Sequence, residues 1–110
     1  MLDPKDEYAV LINTFHVAVP DRAEELLALL AAATRETMRF QPGFISANLH
    51  MSLDRKRVVN YAQWQSRADF EAMLQHPDAR VHMKKAADIA ASFDPVLYEL
   101  RYSDNAQPAS

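Results

Sequence analysis

Residues 44–65 read FISANLHMSLDRKRVVNYAQWQ, and the fold is decided here. From Phe44 to Leu53 the side chains alternate, with Ile45, Ala47, Leu49, Met51 and Leu53 on one face and Phe44, Ser46, Asn48, His50 and Ser52 on the other. A period of two marks a strand with unlike faces. Asp54-Arg55-Lys56-Arg57 is a charged turn, and Val58 to Gln65 returns as a β-branched and aromatic run, so the stretch predicts a hairpin. Its register stays open by one residue. Pairing Leu53 with Arg57 sets His50 opposite Asn60 on a shared face; pairing Asp54 with Arg57 sets Met51 there and turns His50 to the other face.

On the N-terminal side, Tyr8 to Ala18 (YAVLINTFHVA) reads as a strand that runs into Pro20. Asp21 opens a helix in which Ala23, Leu26, Leu27, Leu30, Ala33, Thr34, Thr37 and Met38 recur at three and four. Pro42-Gly43 ends that excursion. On the C-terminal side, Ser66-Arg67-Ala68-Asp69 has the form of a capping box, and Phe70, Met73 and Leu74 anchor a short helix behind it. Pro77 begins another helix. Ala79, His82, Met83, Ala86, Ile89, Ala90 and Phe93 share its apolar face, and Arg80, Lys84, Lys85 and Asp88 lie away from it. Asp94-Pro95 is expected to end it, and Val96 to Tyr102 to form the last strand.

The order β-α-β-β-α-α-β predicts an α+β, ferredoxin-like domain: a four-stranded antiparallel sheet with helices on one face. That domain spans residues 8–103, with an N-terminal extension at 1–7 and a loose polar tail at 104–110. The first strand is apolar on both sides: Tyr8, Val10 and Ile12 point one way, Ala9, Leu11, Phe15 and Val17 the other. Helices can cover only one face, so a second copy packed sheet to sheet is the expected cover for the other.

Composition removes several function classes. A net charge of -3 in 110 residues is a poor start for a nucleic-acid binder, which needs a basic face. The chain has no Cys, which excludes disulfides, thiolate nucleophiles and cysteine-held zinc or iron–sulfur sites. Its single Gly, Gly43, cannot build a phosphate-cradling loop. The longest apolar run, Leu26 to Ala33, is eight residues, far short of the roughly 20 that span a bilayer. The N-terminus, MLDPKDE, is charged and unlike a signal peptide. The expectation is a cytoplasmic protein with no membrane partner. The four His are scattered, with no metal-binding spacing, so no metal is expected.

Three segments, Pro42-Gly43-Phe44, Val58-Val59-Asn60-Tyr61-Ala62-Gln63-Trp64, and Ser66 with Phe70, resemble the antibiotic biosynthesis monooxygenase family of the dimeric α/β barrel superfamily. The resemblance covers the element order of nearly the whole chain. It implies a ferredoxin-like protomer that forms a homodimer through its sheet, with a pocket between its own sheet and helices. It is similar to the family's small cofactor-independent members, which oxidise a polycyclic aromatic phenol to a quinone with O2. The resemblance also implies site residues: the family's pocket Asn and Trp fall at Asn60 and Trp64, and its strand His at His50. Its pocket Tyr falls at Phe70, which lacks the hydroxyl, and its helix Arg falls at Met83 or Lys84. Haem-degrading relatives of the same fold carry an Asn, a Trp and a His that fall at Asn13, Met73 and roughly His82, which keeps a haem-binding enzyme as an alternative. A non-catalytic dimeric binding module is a third reading.

The residues suit the chemistry. Asn60 and Trp64 are four apart on a strand and share a face; both donate hydrogen bonds and could stabilise a phenolate. A strand Trp is equally at home in a core, but an Asn within V-V-N-Y-A-Q-W has poor strand propensity and is costly to bury without partners. His50 and His82 are the candidate bases, although a lone His on an apolar helix face can also be a satisfied core residue.

Overall fold

Strand β1 (Ala9–His16) opens the described chain, residues 8–108 of a computed structural model. The expected extension at 1–7 and the last two residues of the expected tail lie outside the described residues. A 3-10 turn at Pro20–Arg22 leads into helix α1 (Ala23–Glu36), and a second at Met38–Phe40 leaves it. Strands β2 (Phe44–Met51) and β3 (Arg57–Trp64) form the central hairpin. Helices α2 (Arg67–Leu74) and α3 (Pro77–Ile89) follow, and β4 (Ser92–Tyr98) closes the sheet. The strand order is β2-β3-β1-β4 with every pair antiparallel, the ferredoxin-like α+β arrangement expected from the sequence.

Local chemistry sets the helix ends. Ser66 caps α2 by accepting from the Asp69 backbone N–H, the first half of the capping box, and its hydroxyl donates to the Asp69 carboxylate at 2.9 Å. Pro77 occupies the first turn of α3, where its missing N–H costs nothing. Gly43 has φ 83, and a Cβ there would run into the Asp69 side chain. The turn before β2 and the start of α2 therefore need a glycine at this position.

Three expectations are corrected. The hairpin takes neither of the two registers foreseen. Ser52 faces Arg57, its N–H donating to the Arg57 carbonyl at 2.9 Å, so Leu49 stands opposite Asn60 and His50 opposite Val59. The Ser52 hydroxyl and Asp54 carboxylate tie the longer turn together, and Arg55 takes φ 62 to close it. Second, a bulge between Phe44 and Ser46 sets Phe44 opposite Trp64 on the helix side, away from the face of Ser46, Asn48 and His50 with which the alternation grouped it. Third, Asp94-Pro95 does not end a helix. It lies inside β4, which begins at Ser92, so Phe93 belongs to the sheet and not to α3. Pro is tolerated there because β4 is an edge strand, paired only with β1. The last strand ends at Tyr98, four residues before the expected Tyr102.

The helix side of the sheet carries Leu11, Asn13 and Phe15 of β1 next to Ala62, Asn60 and Val58 of β3. The core beneath the helices falls into two clusters. One gathers Ala9, Leu11, Ala62, Trp64, Phe70, Met73 and Ala79; the other gathers Phe15, Val17, Ala23, Leu26, Val58, Ala86 and Ala90. Asn13 and Asn60, cross-strand partners, stand at the seam between them. No helix of the described residues is long and apolar enough to cross a membrane.

Candidate active site

Two asparagines side by side on neighbouring strands interrupt an otherwise apolar sheet face. The asparagines border a cavity of about 720 Å³ between sheet and helices. Leu30, Ala33, Thr34 and Met38 reach it from the α1 side, Phe70, Met73 and Leu74 from α2, and His82, Met83 and Ala86 from α3. Phe93, Pro95 and Leu97 of β4 complete the wall at the sheet edge. The volume is within the range of small-molecule sites, and the lining follows their usual recipe of apolar walls with a few polar groups.

Those polar groups are under-satisfied. Asn13 Oδ1, Asn60 Oδ1 and Trp64 Nε1 are buried and have no hydrogen-bond partner in the protein. Each such atom costs about 1–3 kcal/mol relative to a paired one. Three of them on one cavity wall form a set that a polar guest could complete: two acceptors for a hydroxyl hydrogen and one N–H donor for an oxygen. Trp64 itself is held firmly. It is 2% exposed, with Phe44 edge-on at 5.5 Å and Phe70 at 6.1 Å, an arrangement that fixes the indole plane. The core role and the cavity role considered for Trp64 are therefore compatible: most of the ring is packed, and one edge belongs to the wall.

The site residues expected from the sequence divide as follows. Asn60, Trp64, His82, Phe70, Met73, Met83 and Asn13 all line the one cavity. His50 does not. It is an exposed residue on the face turned from the helices, because the observed register places it opposite Val59. Lys84 is likewise exposed and outside the lining. Of the two histidines considered as bases, only His82 meets the cavity. Its Nε2 lies 3.2 Å from the Thr37 hydroxyl. Sequence reasoning assigned Thr37 to the apolar stripe and missed this contact. It also missed Phe44, hidden by the bulge, and the Arg67–Glu71 pair, bonded at 2.6 Å, at the edge of the cavity. No group of His, Cys, Asp and Glu suited to a metal ion occurs among the described residues.

Residues 9–85 match the family described as antibiotic biosynthesis monooxygenase. The chain is 37% identical over 102 residues to the tetracenomycin-F1 monooxygenase of Streptomyces glaucescens, covering 93% of this chain and 89% of that protein. Among solved structures, the monooxygenase from the gene ActVA-Orf6 of Streptomyces coelicolor, in complex with the ligand nanaomycin D, superposes with a TM-score of 0.78. It shares 26% identity, over 96% of each chain. SnoaB, a cofactor-independent oxygenase from Streptomyces nogalater, superposes with a TM-score of 0.71 at 24% identity, over 88% of this chain and 96% of that one.

Proposed function

Because the chain belongs to the antibiotic biosynthesis monooxygenase family, we propose that its cavity takes an aromatic phenol or quinol and that O2 oxidises it there to a quinone, with no cofactor built into the protein. The observation that carries this reading is the trio of unpartnered polar atoms on Asn13, Asn60 and Trp64 at the wall of a largely apolar cavity.

The chemistry asks little of the protein. The phenol gives up its O–H proton, and the electron pair stays on oxygen as a phenolate. The phenolate passes one electron to O2, and the two radicals join through a ring carbon as a peroxide. Protonation of the outer oxygen and loss of the ring hydrogen release water and leave a second carbonyl. The sum is phenol plus O2 giving quinone plus water. Asn60 and Trp64 act at the first stage, where charge appears on the phenol oxygen. The indole N–H donates to that oxygen between apolar walls, where such a donor is worth about 3 kcal/mol, while the free Asn60 Oδ1 accepts from the phenol O–H before its proton leaves. Asn13 accepts from a second hydroxyl or orients the ring. His82, the histidine on the wall, receives the proton. Phe70, Met73 and Met83 shape the hollow around the aromatic plane.

The test is O2 uptake with a panel of polycyclic phenols in metal-free and flavin-free buffer. Uptake above the autoxidation blank is the expected result. A flat trace across the panel, with the same phenols shown to bind by fluorescence, would leave a binding module instead. A haem enzyme, the remaining reading, would draw on the same Asn13 and His82, but Met73 stands where the haem-degrading relatives carry a Trp. Titration with haem is expected to give no Soret band shifted by histidine ligation.

We also propose that the chain works as a homodimer joined through the sheet face opposite the helices. Val10, Ile12, Val59 and Tyr61 lie on that face with Tyr98 of β4, which is half exposed. A second copy packed there would cover Tyr98 and the half-buried Ile12, Val59 and Tyr61, Val10 being already buried within one chain.

A further inference from the structure

Thr37 is the buried polar side chain of the described residues, at 6% exposure. It stands at the C-terminal end of α1, and its backbone is fully engaged locally. The N–H donates to Ala33 at 3.0 Å, and the carbonyl accepts from Phe40 N–H and from the Gln41 side chain, both at 3.2 Å. Its hydroxyl has a single partner, His82 Nε2, 45 residues further along the chain. His82 lines the cavity and Thr37 does not. One ring nitrogen is thus engaged on the protein side, and Nδ1 is the nitrogen left for a guest.

We propose that Thr37 is a positioning residue: its hydroxyl accepts from Nε2–H and holds His82 in the tautomer whose Nδ1 lone pair is offered to the cavity. This rests on the reading of His82 as the proton acceptor. A threonine hydroxyl can donate or accept, so the contact alone would allow either tautomer. The proton cycle selects one. When Nδ1 takes the phenol proton, the O–H pair stays on the phenol oxygen and a new N–H bond forms. Both ring nitrogens of the imidazolium then carry hydrogen, and the hydroxyl can only accept. If it also accepts in the resting state, the ring and its partner need not rearrange as charge appears, which is the condition for a preorganised site. The triad logic of an oriented base is met here by a neutral hydroxyl in place of a carboxylate. The charged side chains on the same wall are Arg67 and Glu71 of α2, bonded to each other. The sheet and α1 present only the neutral Asn13, Asn60, Trp64 and Thr34 among their polar groups.

The experiment is 15N NMR of protein labelled at histidine, with the His82 signals assigned by their loss in His82→Gln. Wild type with His82 neutral is expected to show hydrogen on Nε2 and a bare Nδ1. Thr37→Ser is expected to keep that tautomer and to retain kcat within about twofold. Thr37→Val, close in shape, is expected to lose the tautomer bias and to lower kcat about tenfold, with KM changed much less. Hydrogen on Nδ1 in the wild-type protein would overturn the proposal, and that measurement does not depend on any variant folding. So would a Val variant with the wild-type tautomer and the wild-type kcat. A lack of turnover on every phenol would remove the proposed reaction, while the tautomer would still decide this inference on its own.

Discussion

Asn60 and Trp64 carry the sharpest expectations at the scale of single residues. Asn60→Ala removes an amide and Trp64→Phe an N–H donor from the cavity wall; because Trp64 packs against Phe44 and Phe70, the melting temperature of each variant is read alongside its rate. Each is expected to slow O2 uptake about tenfold or more; wild-type rates in both would remove the assignment. The two histidines should separate cleanly. His82→Gln is expected to depress kcat, whereas His50→Gln should leave turnover within about twofold, since His50 lies on the face turned from the cavity. Initial rates at saturating phenol decide both. Asn60 was legible in the sequence because an amide inside a β-branched run conflicts with its neighbours unless it has a task. The Thr37–His82 contact was not legible. Nothing in either local pattern says that helices α1 and α3 bring a threonine and an imidazole together across 45 residues.

Elements show where chain chemistry, more than burial, sets the structure. Gly43 and Ser66 together fix how β2 and α2 are entered. Gly43→Ala must pay about 1–2 kcal/mol for a left-handed backbone and also displace Asp69. Ser66→Ala loses a cap worth about 1 kcal/mol. Thermal unfolding should show both, with the Gly43→Ala variant melting lower than the Ser66→Ala variant. The hairpin turn adds a pH dependence. The Lys56 backbone N–H, and after it the Ser52 hydroxyl, hold the Asp54 carboxyl below the ordinary aspartate range. A lowered carboxylate pKa favours the folded turn above the ordinary value, and the preference fades as pH falls through the lowered one. Amide exchange at Lys56, corrected for its intrinsic pH dependence, is therefore expected to lose protection only at acid pH, and Asp54→Asn should flatten that change. The same turn explains why the register escaped the sequence. Two readings differing by one residue were equally consistent with the alternation. The actual turn is longer than both, stabilised by side-chain bonds and by an Arg55 conformation that composition does not announce. The start of β4 escaped for a related reason: Asp-Pro reads as a stop unless the strand is known to be an edge.

At the scale of the whole molecule, the element order alone was enough to name the layers and the sheet, since helix and strand periods are unambiguous over most of the chain. The cavity was not readable in that way. Asn13 and Asn60 line it together because they are partners in the β1–β3 register. Assembly is tested at this scale too. Sedimentation is expected to give twice the chain mass. Ile12→Arg, which sets a charge in the outward face of β1, should give the single chain with its far-UV spectrum intact; a wild-type monomer at all concentrations would overturn the dimer.

The irregularity at the head of β2 has a consequence for how the chain can change in length. Ile45 is the surplus residue there, since Phe44 and Ser46 already face Trp64 and Gln63 in turn. A shortened chain without Ile45 would run straight and still lay its phenylalanine across the indole. Loss of a residue from the middle of the same strand, between Ala47 and Met51, would swap inside for outside along half its length. One spot forgives the loss of a residue and its neighbours do not.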